Sequence, residues 1–333
     1  MYKYVIRRCL QTIAVLFGIS VVVFLVLHLT GDPASLLLPD NATERDRIEL
    51  RQRMGFDDPL IVQYGRFLRG AIRFDFGVSY RQSRPAMELV LDRMPATIEL
   101  TIVTFLITFL IAFPAGIISA SRRGSPLDHA SMFTALLGQS MPDFWLGLIL
   151  ILFVSLHLDL LPTSGRISPE VGAQAATSFL LFEGLFTLNG KLFWDALRHI
   201  VLPALTVGLY ATARLARMIR SGMLDVLGED YVRTARAKGL AELLVVNRHA
   251  LKNAAIPVVT LTGIELGLLL GGTVVTETVF SWPGVGLLSV EALQNDDFPV
   301  VQASVFLLAF NFVFINLVVD LLYAWLDPRI RFE

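Results

Sequence analysis

The chain has 333 residues, of which 54% are apolar and only 17% charged, with a formal net charge of −1. Soluble domains carry about 45–50% apolar and about 25% charged residues, so an ordinary water-soluble domain is excluded. One cysteine, Cys9, excludes an intrachain disulfide framework. The composition predicts an integral membrane protein and gives no support to nucleic-acid binding.

The first apolar stretch runs from Cys9 to Thr30 without an Asp, Glu, Lys or Arg. At 1.5 Å per residue it is about 33 Å long, enough to cross the hydrocarbon core. It is longer than the apolar region of a cleaved signal peptide, and no A-x-A-like site follows it. We therefore expect it to remain as a membrane span.

The segment 31–95 is expected to form a long outer loop. Within it, apolar residues recur at helical spacing with arginines between them, which predicts an amphipathic helix on the outer membrane surface or on the protein itself. Its role is open between a cap over the spans and a docking site. The apolar positions are Leu60, Ile61, Tyr64, Phe67, Leu68 and Ile72, and the arginines are Arg66, Arg69 and Arg73.

Five further apolar stretches predict six spans in total, with both termini on one side. Lys and Arg of the short loops concentrate on the side of the termini, which predicts that the termini are cytoplasmic. The third stretch is interrupted at Gln139–Asp143, so it is either a long broken helix or a span that begins near Phe144. The five stretches are 96–120, 129–158, 200–219, 256–280 and 300–326.

Four parts follow from this pattern. The tail and first span occupy 1–30, the extracytoplasmic loop 31–95, a five-helix core 96–326 and a cytoplasmic tail 327–333. The core includes a cytoplasmic loop over 220–256, the candidate site for contact with another protein.

Small residues in the fifth span predict close helix packing. Gly263, Gly267 and Gly271 recur every four residues on one face, a pattern that lets another helix approach. The approaching helix is either from the same chain or from another subunit.

Acidic residues in or near the spans are candidates for a transport pathway, because charge in hydrocarbon usually faces a cavity or a partner. Glu265 either lines the pathway and binds a substrate amine or makes an interhelical hydrogen bond. Asp143 either caps a helix or lines the pathway. Structural roles are expected for Glu99 and Glu277, which lie near the outer ends of their spans.

Between spans four and five, the segment 229–252 predicts two short helices. Acidic residues open the first helix and basic residues close it, as the helix dipole prefers, and Gly239 supplies a stop. The apolar residues of this polar segment include Tyr231, Val232, Ala235 and Leu240. Two interpretations remain: the segment binds a cytoplasmic protein, or it packs under the helix bundle.

The same segment carries a family resemblance. Residues 230–240 (DYVRTARAKGL) and 248–258 (RHALKNAAIPV) resemble the cytoplasmic loop of ABC-importer permeases, and more narrowly the first of the two permeases of the dipeptide, oligopeptide and nickel importer family. The order of the blocks along the chain makes the resemblance specific. Further blocks that agree are 55–60, 75–79, 93–97, 142–147, 161–165, 277–284, 320–323 and 326–329.

The resemblance implies an all-α integral membrane protein with six transmembrane helices and the type I ABC importer permease (MetI-like) fold. The implied substrates are di- and tripeptides first, with longer oligopeptides, glutathione and nickel chelates left open. Residues 233–235 depart from the family's Glu-Ala-Ala pattern, so no single residue receives a role by motif position. The implied coupling residues are Tyr231, Val232, Thr234, Ala235, Ala237, Lys238, Gly239 and Leu240.

The resemblance also implies partners in the bacterial cytoplasmic membrane. These are a homologous second permease forming a heterodimer, two cytoplasmic ABC ATPases and an extracytoplasmic substrate-binding protein. ATP and Mg are expected on the ATPases, with no cofactor, metal or catalytic residue in this chain.

Motif searches agree with a non-enzymatic chain. The nearest approach to a phosphate-binding loop, from Gly184 to Leu192, has the wrong spacing and lacks the Ser or Thr. The histidines do not stand at i, i+4 spacing, which disfavours a local metal site. Two rival hypotheses are a secondary transporter that couples cations through Glu265 and Asp320, and a receptor or scaffold without transport.

Overall fold

A computed structural model describes residues 2–30, 57–172, 175–271 and 273–326, together with 43, 45, 48, 49, 51, 52 and 55. The predicted tail 327–333 and most of 31–56 lie outside these residues. The described chain is predominantly helical and divides into two compact units, 1–97 with 283–333 and 98–282.

The first unit contains the two ends of the chain. Its helices are α1 (Tyr2–Thr30), α2 (Leu60–Ile72), the beginning of α3 (Ala86–Ser121), α13 (Val285–Gln294) and α14 (Phe298–Leu326).

The second unit contains the rest of α3 and the helices between. They are α4 (Pro126–Ser140), α5 (Asp143–Leu150), α6 (Pro169–Gly172), α7 (Leu180–Phe186), α8 (Gly190–Leu227), α9 (Asp230–Ala237), α10 (Glu242–Leu244), α11 (Leu251–Gly271) and α12 (Val274–Val279). Two π-helical segments, Ile151–His157 and Val245–Ala250, continue α5 and α10.

In the first unit, α1 and α14 pack together in opposite directions. Arg8, near the start of α1, forms an ion pair of 3.1 Å with Asp320, near the end of α14. At the other end, Val23 joins a buried apolar cluster with Phe306 and with Phe76 of the segment between α2 and α3. The loop is fastened there, because Ser79 Oγ donates a hydrogen bond of 2.5 Å to buried Asp297 and the Tyr80 amide donates another of 3.1 Å.

In the second unit, α8 is the central helix. Its 38 residues extend about 57 Å, which exceeds the hydrocarbon thickness and carries the helix beyond the bilayer. It contacts α4, α5, α7 and α11. The contact with α3 is close because Gly116 has no side chain: a Cβ there would lie 2.8 Å from the Ala216 carbonyl oxygen.

The predicted interruption of the third stretch is confirmed. Helix α4 ends at Ser140, α5 begins at Asp143, and the two helices are bent by 106°. Pro142 has φ −61° and ψ 138°, an extended conformation that starts a new helix and cannot continue the old one.

Long apolar helices that could span a membrane are confirmed, but the predicted number of six is not. Within the described residues, α1, α3, α8 and α14 are long and apolar enough to cross a membrane, and the bent α4 and α5 pair would be a fifth span. The stretch 256–280 is not one helix: α11 ends at Gly271, and α12 begins only at Val274 with Thr273 at its N-cap. A sixth span stays a prediction.

Candidate coupling site and transport pathway

The candidate coupling site begins where α8 ends. Gly228 stops α8, Glu229 in extended conformation precedes α9, and Asp230 and Arg236 lie at the ends of α9 that suit their charges. The first of the two short helices predicted in this region is confirmed, but the second is not short, because α10 continues through the π-helical segment into α11 without a break.

One side of α9 is held by the chain itself. Val232 and Ala235 are 0% and 7% exposed, and they cluster with buried Val245 and with Val226 and Leu227 at the end of α8. The sequence pattern had not shown this partner. Val232 and Ala235 thus anchor the helix on α8.

The other implied coupling residues lie on the surface. Two neighbours that the sequence analysis did not single out, Leu243 and Leu244, are 75% and 49% exposed. Helical spacing from Leu240 does not indicate them, because Leu240 lies before α10, which begins at Glu242. The exposed implied residues are Tyr231, Thr234, Ala237, Lys238, Gly239 and Leu240.

The turn between α9 and α10 has a defined geometry. Gly239 has φ +76°, a region that favours glycine, and its amide donates a hydrogen bond of 2.9 Å to the Arg236 carbonyl oxygen. Across the turn, Arg236 donates two hydrogen bonds, of 2.6 and 3.1 Å, to the Glu242 carboxylate. This contact lowers the pKa of Glu242 and raises the pKa of Arg236. Asn253 Nδ2 donates to the Tyr231 hydroxyl at 2.7 Å and ties α9 to α11.

The candidate pathway residue Glu265 lies opposite a cation. Its side chain is 7% exposed, and its carboxylate is 2.9 Å from an Arg214 guanidinium nitrogen on α8. The contact is an interhelical ion pair, and whether Glu265 lines the pathway stays a prediction. Asp143, the second candidate, is exposed at the start of α5 and lies in the bend after α4.

Arg214 is one of three arginines spaced three residues apart on α8. Arg217 donates a hydrogen bond to Gln139 at the end of α4, and Arg220 binds Asp128 at the start of α4 through two hydrogen bonds of 2.7 and 2.9 Å. From the sequence, these arginines served only to predict the orientation of the chain in the membrane. No local signal identified their partners, because these are 51 to 92 residues away in the chain.

The glycine positions of α11 are mostly covered. Gly263 and Gly267 are buried and Gly271 is half-buried. Helix α11 packs on α8, where Ala254, Val258 and Leu261 belong to the same apolar cluster as α8 residues. The close approach of another helix to the three glycines stays a prediction.

The two acidic residues expected to be structural are buried. Glu99 accepts a hydrogen bond of 2.6 Å from Arg166 and another of 2.8 Å from the Leu181 amide at the start of α7. Arg166 also lies 5.8 Å from the Trp282 ring centroid. Glu277 accepts a hydrogen bond of 2.8 Å from Thr273 Oγ1.

These features define a class of protein. Long apolar helices and a broken helix pair describe a multi-pass membrane protein, and a braced helical turn between α8 and α11 is exposed. Over the described part of the chain, no group of three or more His, Cys, Asp and Glu side chains could hold a metal ion.

Comparison with known proteins identifies the family. Residues 112–332 match the family described as binding-protein-dependent transport system inner membrane component, and residues 1–101 match the N-terminal family of the same transport systems. The chain belongs to this family, whose members are membrane-embedded transport components.

Individual relatives align over the whole chain. The dipeptide transport system permease protein DppB of Alkalihalophilus pseudofirmus is 41% identical over 333 residues, covering 100% of both chains. DppB of Escherichia coli K12 is 40% identical over 336 residues and 99% of both chains. The glutathione transport system permease protein GsiC of Escherichia coli K12 is 41% identical over 334 residues and 100% of both chains.

Proposed function

We propose that this chain is the permease subunit of an ATP-driven ABC importer that moves di- and tripeptides across the bacterial cytoplasmic membrane. The observation that carries the proposal is the full-length similarity to dipeptide permeases of distant bacteria. The equal identity to a glutathione permease makes that tripeptide a second candidate substrate.

The proposed complex contains four further subunits. A homologous second permease completes the pathway, two cytoplasmic ATPases bind ATP and Mg, and an extracytoplasmic binding protein delivers the peptide. The orientation proposed for this chain places both termini and α9 in the cytoplasm, as the distribution of Lys and Arg predicts.

The turn at Gly239 is the proposed contact with an ATPase. Tyr231, Leu240, Leu243 and Leu244 offer exposed apolar surface there. The buried contact of Val232 and Ala235 with the end of α8 links this surface directly to a helix long enough to cross the membrane. A movement of the ATPases would thereby be transmitted to α8 through packed side chains.

The energetic requirement is ordinary linkage. ATP shifts the permease between inward-open and outward-open states only by as much as the complex binds ATP better in one state. The α9 anchor is suited to this transmission because Arg236, Glu242 and the Tyr231 contact with Asn253 hold the turn in one geometry.

The rival secondary transporter makes a different prediction for Glu265. If proton coupling drives transport, Glu265→Gln removes the titrating group and abolishes uptake. If ATP drives it, we expect Glu265→Gln to keep uptake of a labelled dipeptide within about twofold. The reason is that glutamine keeps the shape of the side chain, and the Arg214 side chain, which is 29% exposed, is hydrated when its partner loses its charge.

The measurement is uptake in cells with constant ATP, with and without a protonophore. Asp320→Asn is the second test variant, because Asp320 is the other acid of the rival hypothesis and pairs with Arg8. Uptake that the protonophore abolishes at constant ATP, and that Glu265→Gln also abolishes, would contradict the proposal. Uptake that survives deletion of the whole chain would favour a scaffold.

A further inference from the structure

Helix α2 has three chemically different flanks. The first packs on the protein: Ala71 is 2% exposed, and Tyr64 and Phe67 contact Phe24 of α1, with ring centroids 5.4 and 5.8 Å from the Phe24 ring. These three residues stand at i, i+3 and i+7, one stripe of the helix. The stripe seats α2 against α1.

The second flank is apolar and faces outward. Ile61, Leu68 and Ile72 stand at i, i+7 and i+11, which places them on one stripe beside the seated one. Ile61 is 81% exposed and Ile72 is 74% exposed, while Leu68 is half-buried.

The third flank is largely basic. Val62, Arg66 and Arg69 stand at i, i+4 and i+7 on the side opposite the seated stripe, and Arg73 follows the helix directly. Arg66 pairs with Asp58, and Arg69 and Arg73 are exposed. An apolar flank next to an arginine flank is the pattern of a helix that lies in a membrane interface.

The contacts of α2 with α1 fix its depth. The Tyr64 hydroxyl lies 2.8 Å from Ser20 Oγ, and the Tyr64 ring lies 6.1 Å from the Phe17 ring. Ser20 and Phe17 both lie within the apolar stretch of α1, which the sequence continues to Thr30.

The segment after α2 gives an independent depth. Phe74 contacts Phe306 and Phe310 of α14, with ring centroids 6.3 and 5.7 Å apart. The apolar span of α14 begins at Phe298, so both contacts lie within that span. Both neighbours therefore place α2 and Phe74 below the membrane surface, not above it.

We propose that α2 is embedded in the outer leaflet of the bilayer. Its Ile61, Leu68 and Ile72 flank contacts lipid acyl chains, and its arginine flank contacts the phosphates of the lipid headgroups. Lipid is the occupant that this level favours, because Phe17 and Val22 of α1 and Val305 of α14 are also exposed apolar side chains at this level. The long outer loop is thus anchored in the membrane as well as on the protein.

Spin-label accessibility tests this placement in the assembled complex. Single cysteines replace Ile61, Ile72 and Val62 in a Cys9→Ser background, and the complex is placed in nanodiscs of phosphatidylethanolamine and phosphatidylglycerol. The unsubstituted background, labelled in parallel, corrects for cysteines of the other subunits. Val62 is the matched control, because it is also apolar and 44% exposed but lies on the arginine flank.

We expect labels at 61 and 72 to collide with oxygen, which concentrates in lipid, severalfold more than with a water-soluble nickel chelate. The label at 62 should show the opposite preference. Labels at 61 and 72 that favour the nickel chelate would overturn the proposal, since the flank would then face water. Protection from both reagents would also overturn it, because another protein would then cover the flank. Neither outcome bears on ATP-driven transport.

Discussion

Replacing Gly239 by valine is expected to lower peptide-stimulated ATP hydrolysis by about tenfold while the complex remains assembled. Gly239 has φ +76°, and a Cβ at this position would meet no atom within 4 Å. The cost is therefore that of the left-handed backbone alone, about 1–2 kcal/mol for a side-chain-bearing residue, and about 1.4 kcal/mol corresponds to a tenfold population change. The measurement is ATPase activity of the complex in lipid.

Gly228→Val is the matched control for this prediction. Gly228 is also exposed and lies one helix earlier, but its φ is −80°, where valine is not strained. We expect near-normal stimulation from this variant. Equal losses in both variants would show that the region tolerates no added bulk, and full stimulation in Gly239→Val would remove the turn from the coupling path.

Asp128→Ala is expected to destabilise the permease by about 2–3 kcal/mol. Asp128 is 3% exposed, accepts two hydrogen bonds from Arg220, and accepts a third, of 3.0 Å, from the Gly124 amide. Hydrogen bonds to charged groups contribute about 1.5–3 kcal/mol. The total stays below the about 3–5 kcal/mol of a fully buried pair, because the Arg220 side chain is 26% exposed. Unfolding by sodium dodecyl sulfate in mixed micelles measures the change.

Asp92→Ala is the corresponding control, because the Asp92 pair with Arg84 is on the surface and about half exposed. Such pairs contribute about 0–1 kcal/mol. Adding Arg220→Met to Asp128→Ala should recover part of the loss, since it removes the cation left without its carboxylate. An Asp128→Ala effect no larger than that of Asp92→Ala would show that the buried pair does not brace α4 against α8.

Structural features that depend on residues close together in the sequence were predicted correctly. The spacing of apolar residues gave α2 at Leu60–Ile72, Pro142 marked the break between α4 and α5, and Gly239 marked the turn after α9. In each case one local property, periodicity or backbone conformation, decides the structure.

Contacts between distant residues could not be predicted from the same patterns. Glu265 was recognisable as a costly charge, but its partner Arg214 was not, since any of several helices could face it. For the same reason, the burial of Val232 and Ala235 against α8 was missed, and these two looked like contact residues for another protein. Tertiary packing selects one of many pairings that the composition allows.

The most direct test of the proposed function is ATP hydrolysis by the purified complex in lipid, with its binding protein and a panel of di- and tripeptides. The account predicts that peptide-loaded binding protein stimulates hydrolysis, and that deletion of residues 229–240 removes the stimulation. A chain that assembles with no ATPase, or an ATPase that responds equally with and without peptide, would contradict it.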